Sequence, residues 1–183
     1  YPVKFSKKKK KSELKIKNNH YIDKKIKLLV NKLKKSKRPV MIVGNGVRFS
    51  KSALIFKKVI KKLKIPVLTV WNSHDLIDNE NPYYAGRPGL DGERAGNFNI
   101  QNSDLLIIIG ARMHVRQVGY NFNSFAREAY KVMIDIDKAE VDKFNLGINL
   151  KIIADINHVL KKIIKVNREK FYNSEHKNYL TWC

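Results

Sequence analysis

The sequence has a single cysteine, Cys183, at its last position. An internal disulfide and any metal site built from several cysteines are therefore excluded, and this usage is compatible with a reducing cytoplasm. No apolar run approaches the roughly 20 residues that a helix needs to span a bilayer. The lysine-rich first residues are not followed by an apolar stretch, so we expect no secretory signal. These absences predict a cytoplasmic chain without a membrane partner.

Recognisable catalytic constellations are also missing. No nucleophile-elbow pattern is present, and the five histidines are scattered without the spacing of metal ligands. Asp91 and Glu93 offer two acids beside Gly92, but the sequence shows no basic residue placed to work with them. We interpret them as loop or interface residues. We therefore assign neither a catalytic residue nor a metal site to this chain.

Acidic residues are few: 16 Asp and Glu stand against 38 Lys and Arg, and the formal net charge is +22. Such a charge fits a nucleic-acid or anionic-membrane surface, or a lysine-biased composition. Much of it lies in the run Lys7 to Lys11 and in residues 24–37, which are rich in lysine. Nucleic-acid binders usually interleave lysine with arginine and aromatic side chains. We therefore interpret the charge as compositional and expect no nucleic-acid partner.

The length of 183 residues suits one domain. Residues 1–20 are polar, lysine-rich and aperiodic, and we predict that they form a basic linker. We predict a central domain over residues 21–168 and a linker toward a further, C-terminal domain over residues 169–183. Because the chain begins with Tyr1 rather than Met, we expect a fragment or a processed product.

Helical and strand patterns alternate along the domain. Apolar stripes of helical period predict four helices, over residues 21–35, 54–63, 94–102 and 157–167. Short apolar runs predict five buried strands, over residues 40–43, 66–71, 105–109, 131–137 and 151–155. Residues 72–93 hold several glycines and prolines without periodicity, which predicts a long functional loop. The alternation predicts an α/β fold: a three-layer, doubly wound parallel sheet of the Rossmann-like, NAD/FAD-binding type.

Ligands of such sheets bind beyond the carboxyl ends of the strands, and several strand ends carry residues suited to this. The first predicted strand ends in Gly44-Asn45-Gly46, whose glycines let the backbone approach a phosphate. The third ends in Gly110-Ala111-Arg112, where the guanidinium offers paired donors to a pyrophosphate. The fourth and fifth end in carboxylates that can accept from ribose hydroxyls: Asp135, Asp137 and Asp155.

Each of these residues also has a structural interpretation. The glycines suit a tight strand-to-helix turn without a ligand, Arg112 suits a surface ion pair, and the aspartates suit helix caps. Because all strand ends meet at one edge of a parallel sheet, their combination favours a nucleotide-sized, phosphate-bearing ligand.

The stretch from Gly86 to Arg112, GRPGLDGERAGNFNIQNSDLLIIIGAR, combines a glycine-rich loop, an Ala-Gly-Asn helix and an apolar strand that ends in Gly-Ala-Arg. It is flanked in order by RPVMIVGNGVRFS at residues 38–50 and VMIDIDKAEV at residues 132–141. Together these segments resemble the middle domain of the acetolactate synthase family of thiamine-diphosphate-dependent enzymes. The resemblance covers residues 36–165.

This resemblance implies a parent enzyme, a transferase or lyase of three α/β domains that carries out carboligation or decarboxylation of a 2-oxo acid. One flanking domain binds the pyrimidine of thiamine diphosphate and carries the catalytic glutamate; the other binds the diphosphate through magnesium. Their motifs are not found in this sequence, so this chain alone is expected to have no turnover. The flanking domains are the expected partners, and a homo-oligomer, a dimer or tetramer, is expected of the whole.

In acetolactate synthases the middle domain holds FAD, and in relatives the same edge takes ADP, another nucleotide or nothing. Asp91, His114 and Ala154 depart from the synthase pattern, so FAD, ADP and an empty edge stay open. A free-standing nucleotide-binding Rossmann-like protein stays open as an alternative. Carried over position by position, the resemblance places the cofactor contacts at Gly44, Gly46, Thr69, Leu90, Gly92, Gly110, Ala111, Arg112, Asp135, Asp137 and Asp155.

Overall fold

Five parallel strands form one sheet in the computed structural model, which describes residues 19–142 and 146–183. All but the last two residues of the predicted basic linker lie outside the described residues, and so does the run Lys7 to Lys11. The strands are β1 Pro39–Val43, β2 Val67–Thr69, β3 Leu105–Ile109, β4 Tyr130–Asp135 and β5 Leu150–Ile153.

The strands lie in the order β2-β1-β3-β4-β5. In the register of the three central strands, Ile109 lies between Val43 and Ile134. From β1 the chain crosses to β2 on one side, whereas from β3 it proceeds through β4 to β5 on the other. The sheet therefore has its switch point between β1 and β3, where ligands of open α/β sheets bind.

Helices cover both faces of the sheet. Within the described residues the α-helices are α1 Asn19–Lys35, α2 Gly46–Phe49, α3 Ala53–Leu63, α4 Arg94–Asn102, α5 Val115–Val118, α6 Lys138–Asp142, α7 Ile156–Lys165 and α8 Glu175–Trp182. Successive strand residues point to opposite faces. Met41 accordingly packs into a core with α1, α2, α3 and α7, and Ile42 into a second core with α4, α5, α6 and α8.

Helix α1 shows how the sequence pattern produces this packing. Its buried side chains recur at three- and four-residue spacing, and they are Ile22, Ile26, Leu29, Val30 and Leu33. The helix ends at Lys35, shortly before Pro39, because a residue that precedes proline is disfavoured in helical geometry. Although α1 comes first in the chain, it lies over the far side of the sheet, where the Tyr21 hydroxyl donates to the Lys151 carbonyl at 3.3 Å.

The predicted fold class is confirmed, with element bounds that differ by a few residues. Strand β2 ends at Thr69, earlier than predicted, because a 3₁₀ helix, Trp71–Leu76, begins right after it. The predicted loop over residues 72–93 therefore starts with helical structure. The short helices α2 and α5 were not predicted, because one turn of helix is too short to show an apolar period.

The segment 169–183, predicted as a linker, packs against the domain. It contains α8, and Phe171, His176 and Tyr179 are 2%, 5% and 6% exposed. The Tyr179 hydroxyl donates to the Asn99 carbonyl at 3.0 Å, and His176 Nε2 donates to the Ser36 carbonyl at 3.1 Å. Packing of the domain thus continues past the predicted boundary at residue 168, and a further domain beyond it stays a prediction.

Among the described residues, no helix is both long and apolar enough to cross a lipid bilayer. The His, Cys, Asp and Glu side chains of these residues form no group of three or more that could hold a metal ion.

Candidate functional site

A cleft of about 570 Å³ opens at the carboxyl edge of the sheet, at the switch point between β1 and β3. Its volume falls within the range of roughly 300–1,000 Å³ that is typical of small-molecule sites. The cleft is lined by Asn45, Gly46, Phe49, Ser50, Val70, Asn72, Gly110, Arg112, His114, Gln117, Asp135, Ile136, Asp137, Glu140, Asp155 and Ile156. Six of the eleven predicted contact residues are among them: Gly46, Gly110, Arg112, Asp135, Asp137 and Asp155.

The glycine turns after β1 and β3 form the base of this cleft. The Gly46 amide donates to the Gly110 carbonyl at 2.9 Å, which holds the two turns together. Gly110 has a φ of +56°, a conformation that glycine adopts without strain. A Cβ atom on Gly46 would lie 2.7 Å from Gly110 Cα. The turns need glycine for their own packing, whether or not a phosphate approaches them.

The three predicted aspartates each hold a turn. Asp155 is the N-cap of α7 and accepts from the His158 amide at 3.1 Å. Asp137 accepts from the Ala139 amide at 2.8 Å, and Asp135 accepts from the Asp137 amide at 3.0 Å. The capping carboxylates also line the cleft. The structural interpretation of these aspartates as caps is therefore compatible with their interpretation as ligand contacts.

Burial raises the pKa of the Asp135 carboxyl above its ordinary value, and hydrogen bonds from the Asp137 and Ile136 amides act in the opposite direction. The ionised carboxylate is thus partly deprived of water at the wall of the cleft. A hydroxyl or amino group of a ligand would supply the hydrogen bonds that water cannot.

Arg112 lies three residues beyond the end of β3 and pairs with Glu140 of α6, with 2.9 Å between Nε and Oε1. The arginine side chain is 73% exposed, so this rim ion pair contributes little to stability. It leaves the guanidinium accessible to a ligand. Arg112 is also the one Lys or Arg in the lining, against four Asp and Glu residues.

The other predicted contacts lie elsewhere. Gly44 packs behind Gly110, and Ala111 is 1% exposed in the second core. Thr69 is fully buried, and its hydroxyl has no hydrogen-bond partner among the described residues. Leu90 is 57% exposed and is not part of the cleft wall.

Gly92 lines a second, smaller cleft of about 310 Å³, which shares His114 and Gln117 with the first. The sequence shows no basic partner for Asp91 and Glu93, but in the structure each of them pairs with an arginine. Arg116 Nη2 lies 2.5 Å from Asp91 Oδ2, and Arg87 Nη2 lies 2.6 Å from Glu93 Oε1. Asp91 and Glu93 therefore shape the loop that borders the second cleft.

Several cleft residues were not predicted from the sequence. Asn45 lies inside the glycine motif, yet the motif directs attention only to its glycines. Phe49 stands where a dinucleotide motif would have its third glycine, and it is 80% exposed in the cleft wall. Asn72 and Gln117 come from the 3₁₀ helix and from α5, whose positions no sequence pattern indicates, and Glu140 comes from α6.

The lining suits the parts of an adenine nucleotide. Carboxylates at Asp135, Asp137 and Asp155 can accept from ribose hydroxyls. Phe49 and Ile136, 80% and 40% exposed, offer apolar surface to a base. Phosphates would be placed toward Arg112 and the amide side chains, where the donors are. The residues present therefore fit such a group.

The fold and cleft define a doubly wound, Rossmann-like α/β domain with a ligand-sized site at its switch point. Residues 26–163 match the family described as "Thiamine pyrophosphate enzyme, central domain", and the chain belongs to this family. The predicted resemblance to acetolactate synthases is confirmed.

Large subunits of acetolactate synthase are similar to most of the chain. The "Probable acetolactate synthase large subunit" of Methanococcus aeolicus is 30% identical over 162 residues, which are 86% of this chain and 27% of that protein. The large subunit of Cyanidium caldarium is 32% identical over 150 residues, 82% of this chain and 25% of its own length. The isozyme 2 large subunit of Escherichia coli K12 is 32% identical over 128 residues, which are 70% of this chain and 23% of that protein. The chain thus spans about a quarter of the length of these relatives.

Proposed function

We propose that this chain serves as the central domain of a larger, thiamine-diphosphate-dependent enzyme of the acetolactate synthase type, and that its cleft binds the adenine-nucleotide part of FAD or ADP. The observation that carries the proposal is the coincidence of the family match over residues 26–163 with a nucleotide-sized cleft at the switch point.

In the proposed complex, Asp135, Asp137 and Asp155 orient the ribose, and Arg112 balances the charge of the phosphates. ADP would need the first cleft alone. FAD would extend into the second cleft, where the Asp91–Arg116 ion pair would have to open. Because an exposed pair such as this is worth at most about 1 kcal/mol, it does not prevent FAD from binding. When bound, FAD would supply redox-capable chemistry, although its role in such enzymes is mainly structural.

The rest of the enzyme follows from the same proposal. Thiamine diphosphate and magnesium belong to the flanking domains, which also hold the catalytic residues, and this chain alone has no turnover. The reaction is carboligation or decarboxylation of a 2-oxo acid, by a transferase or lyase. The whole protein works in the cytoplasm as a dimer or tetramer.

The activity is tested with the full-length protein that contains this chain. We expect it to consume pyruvate or another 2-oxo acid when thiamine diphosphate and Mg²⁺ are present, and the isolated chain of 183 residues to consume none. Consumption by the isolated chain, or indifference of the full-length protein to thiamine diphosphate, would contradict the proposal. The second result would favour the free-standing nucleotide-binding protein.

Nucleotide binding is tested by thermal unfolding of the full-length protein with ADP and with FAD. A ligand at about 100 times its dissociation constant stabilises the folded state by about 2.7 kcal/mol. We expect Arg112→Gln to reduce the nucleotide-induced shift in the unfolding temperature, since this change removes the arginine of the cleft. Arg127→Gln, an exposed arginine outside the cleft, should leave the shift unchanged. No shift with either nucleotide would show that the cleft does not bind them.

A further inference from the structure

Lysine is concentrated on one face of the domain. Helix α1 carries six lysines and one aspartate, α3 four lysines and no acid, and α7 three lysines and no acid. These helices all pack on the same side of the sheet. On the opposite side, α4 and α5 carry one arginine each, α6 one lysine and two acids, and α8 one lysine and one glutamate.

The net charge can come from a lysine-biased composition or from a positively charged functional surface, and this asymmetry distinguishes the two explanations. A composition biased toward lysine would add lysines to exposed positions of every helix. The helices of the second face have such positions, and yet their positive and negative charges nearly balance. Composition alone therefore does not account for the distribution, and the lysine-rich face has a strong positive potential.

A groove of about 1,170 Å³ runs between α1 and α7 on this face. Its floor includes Ile26 and Val30, which are only 5% and 8% exposed. Both of its walls carry lysines, and these are Lys27, Lys34, Lys161, Lys162, Lys165 and Lys170.

The charge of the groove is largely uncompensated. Its lining has one carboxylate, that of Asp23, which lies 2.5 Å from Lys162 Nζ. Among the described residues, the other five lysines form no ion pair. Ammonium groups gathered along a groove repel one another, and an anion that lies between them would relieve this repulsion.

The lining also indicates which kind of anion fits. It contains no arginine, and its one ring is the imidazole of His158, so it offers no bidentate fork for carboxylates and only one small ring for a stacked base. Its floor exposes little apolar surface to the side chains of a peptide. Lysine binds phosphate as a point charge, without demanding a planar ligand. A ligand held in this way needs a high density of charge.

We propose that the groove between α1 and α7 is a binding site for a soluble oligophosphate anion, separate from the nucleotide cleft at the carboxyl edge of the sheet. Lys27 and Lys34 on α1 face Lys161 and Lys165 on α7 across the groove, so successive phosphates contact both walls. The contacts are mainly electrostatic, and binding weakens as salt screens them.

The test uses the full-length protein and inorganic tripolyphosphate, with binding measured by calorimetry at low and at moderate salt. We expect Lys27→Gln, Lys161→Gln and Lys165→Gln combined to weaken binding at least about tenfold, which is about 1.4 kcal/mol. The control combines Lys57→Gln, Lys58→Gln and Lys61→Gln on α3, which removes the same charge from the same face outside the groove. The control should change affinity by less than about twofold.

Three results would overturn the proposal. Wild-type protein that does not bind tripolyphosphate has no such site. An equal loss in the two triple variants would mean a diffuse positive face rather than a groove. Tighter, groove-dependent binding of single-stranded RNA, an acidic peptide or anionic phospholipid vesicles would assign the groove to that partner instead. If the groove variant loses its circular dichroism, the single change Lys161→Gln is compared with Lys58→Gln in the same way.

Discussion

A Cβ atom on Gly44 would lie 2.3 Å from the carbonyl oxygen of Gly110. The turns after β1 and β3 therefore approach more closely than any side chain allows, and this contact sets the floor of the cleft. The motifs that begin at Gly44 and Gly110 are far apart in the sequence, yet their turns can pack together only because Gly44 has no side chain.

Gly44→Ala is expected to lower the free energy of unfolding by about 2–3 kcal/mol, because the added methyl group must displace backbone. Gly119→Ala is the comparison, since Gly119 has a φ of +78° and no atom within 4 Å of an added Cβ. Its backbone, with φ +78° and ψ 179°, lies in a region almost restricted to glycine, so this variant should lose about 1–3 kcal/mol without any steric contact. Urea denaturation measures both. A Gly44→Ala variant as stable as the wild type would contradict the close contact of the turns.

Asp155→Ala is expected to lower the free energy of unfolding by about 1 kcal/mol, because the amide of His158 loses its cap. Asp155→Asn keeps an oxygen at the same place, so its free energy of unfolding should fall by only a few tenths of a kcal/mol. Since Asp155 also lines the cleft, the asparagine variant separates capping from ligand binding. If it is as unstable as the alanine variant, the carboxylate has a role that capping does not explain.

Phe171→Ala is expected to destabilise the domain by about 3–4 kcal/mol, because the ring is 2% exposed in the core with α1 and α7. The neighbouring Tyr172 is 52% exposed, and Tyr172→Ala should change stability by no more than about 0.5 kcal/mol. Chemical denaturation of the full-length protein checks both values. Similar small effects would support the original prediction that this segment is a linker.

Acidification should loosen α8. Burial lowers the pKa of His176 below its ordinary value, so its protonation is opposed in the folded protein. The unfolded chain then binds more protons in the window between the two pKa values, and stability is lost as pH falls through the ordinary value toward the lowered one.

The measurement is thermal unfolding between about pH 7.5 and about pH 5, the range in which histidine titrates. We expect His176→Gln to lose less stability over this range than the wild type, since glutamine can still donate to the Ser36 carbonyl and does not titrate. The other histidines are common to both proteins. Parallel losses in the two proteins would exclude His176 as the cause.

The sequence predicts the sheet well because short, β-branched apolar runs between turn residues, such as residues 105–109, are typical of buried parallel strands. It locates the edge of the sheet that holds the cleft, because Gly110, Asp135 and Asp155 lie at the ends of strands or just beyond them. It does not predict Phe49 or Gln117, whose positions depend on one-turn helices. Nor does it predict the partner of Asp91, because Arg116 lies 25 residues further along the chain. Such contacts arise only when distant loops are brought together.

The position of α1 over β5 and α7 also affects when the domain can form. The Tyr21 hydroxyl and its acceptor on Lys151 are 130 residues apart in the chain. At a synthesis rate of about 5–20 residues per second, roughly 7–26 seconds separate the two on the ribosome. The apolar stripe of α1 has no partner on β5 or α7 during this interval. Six lysines lie along the same helix, and charged residues that flank an exposed apolar segment oppose its aggregation.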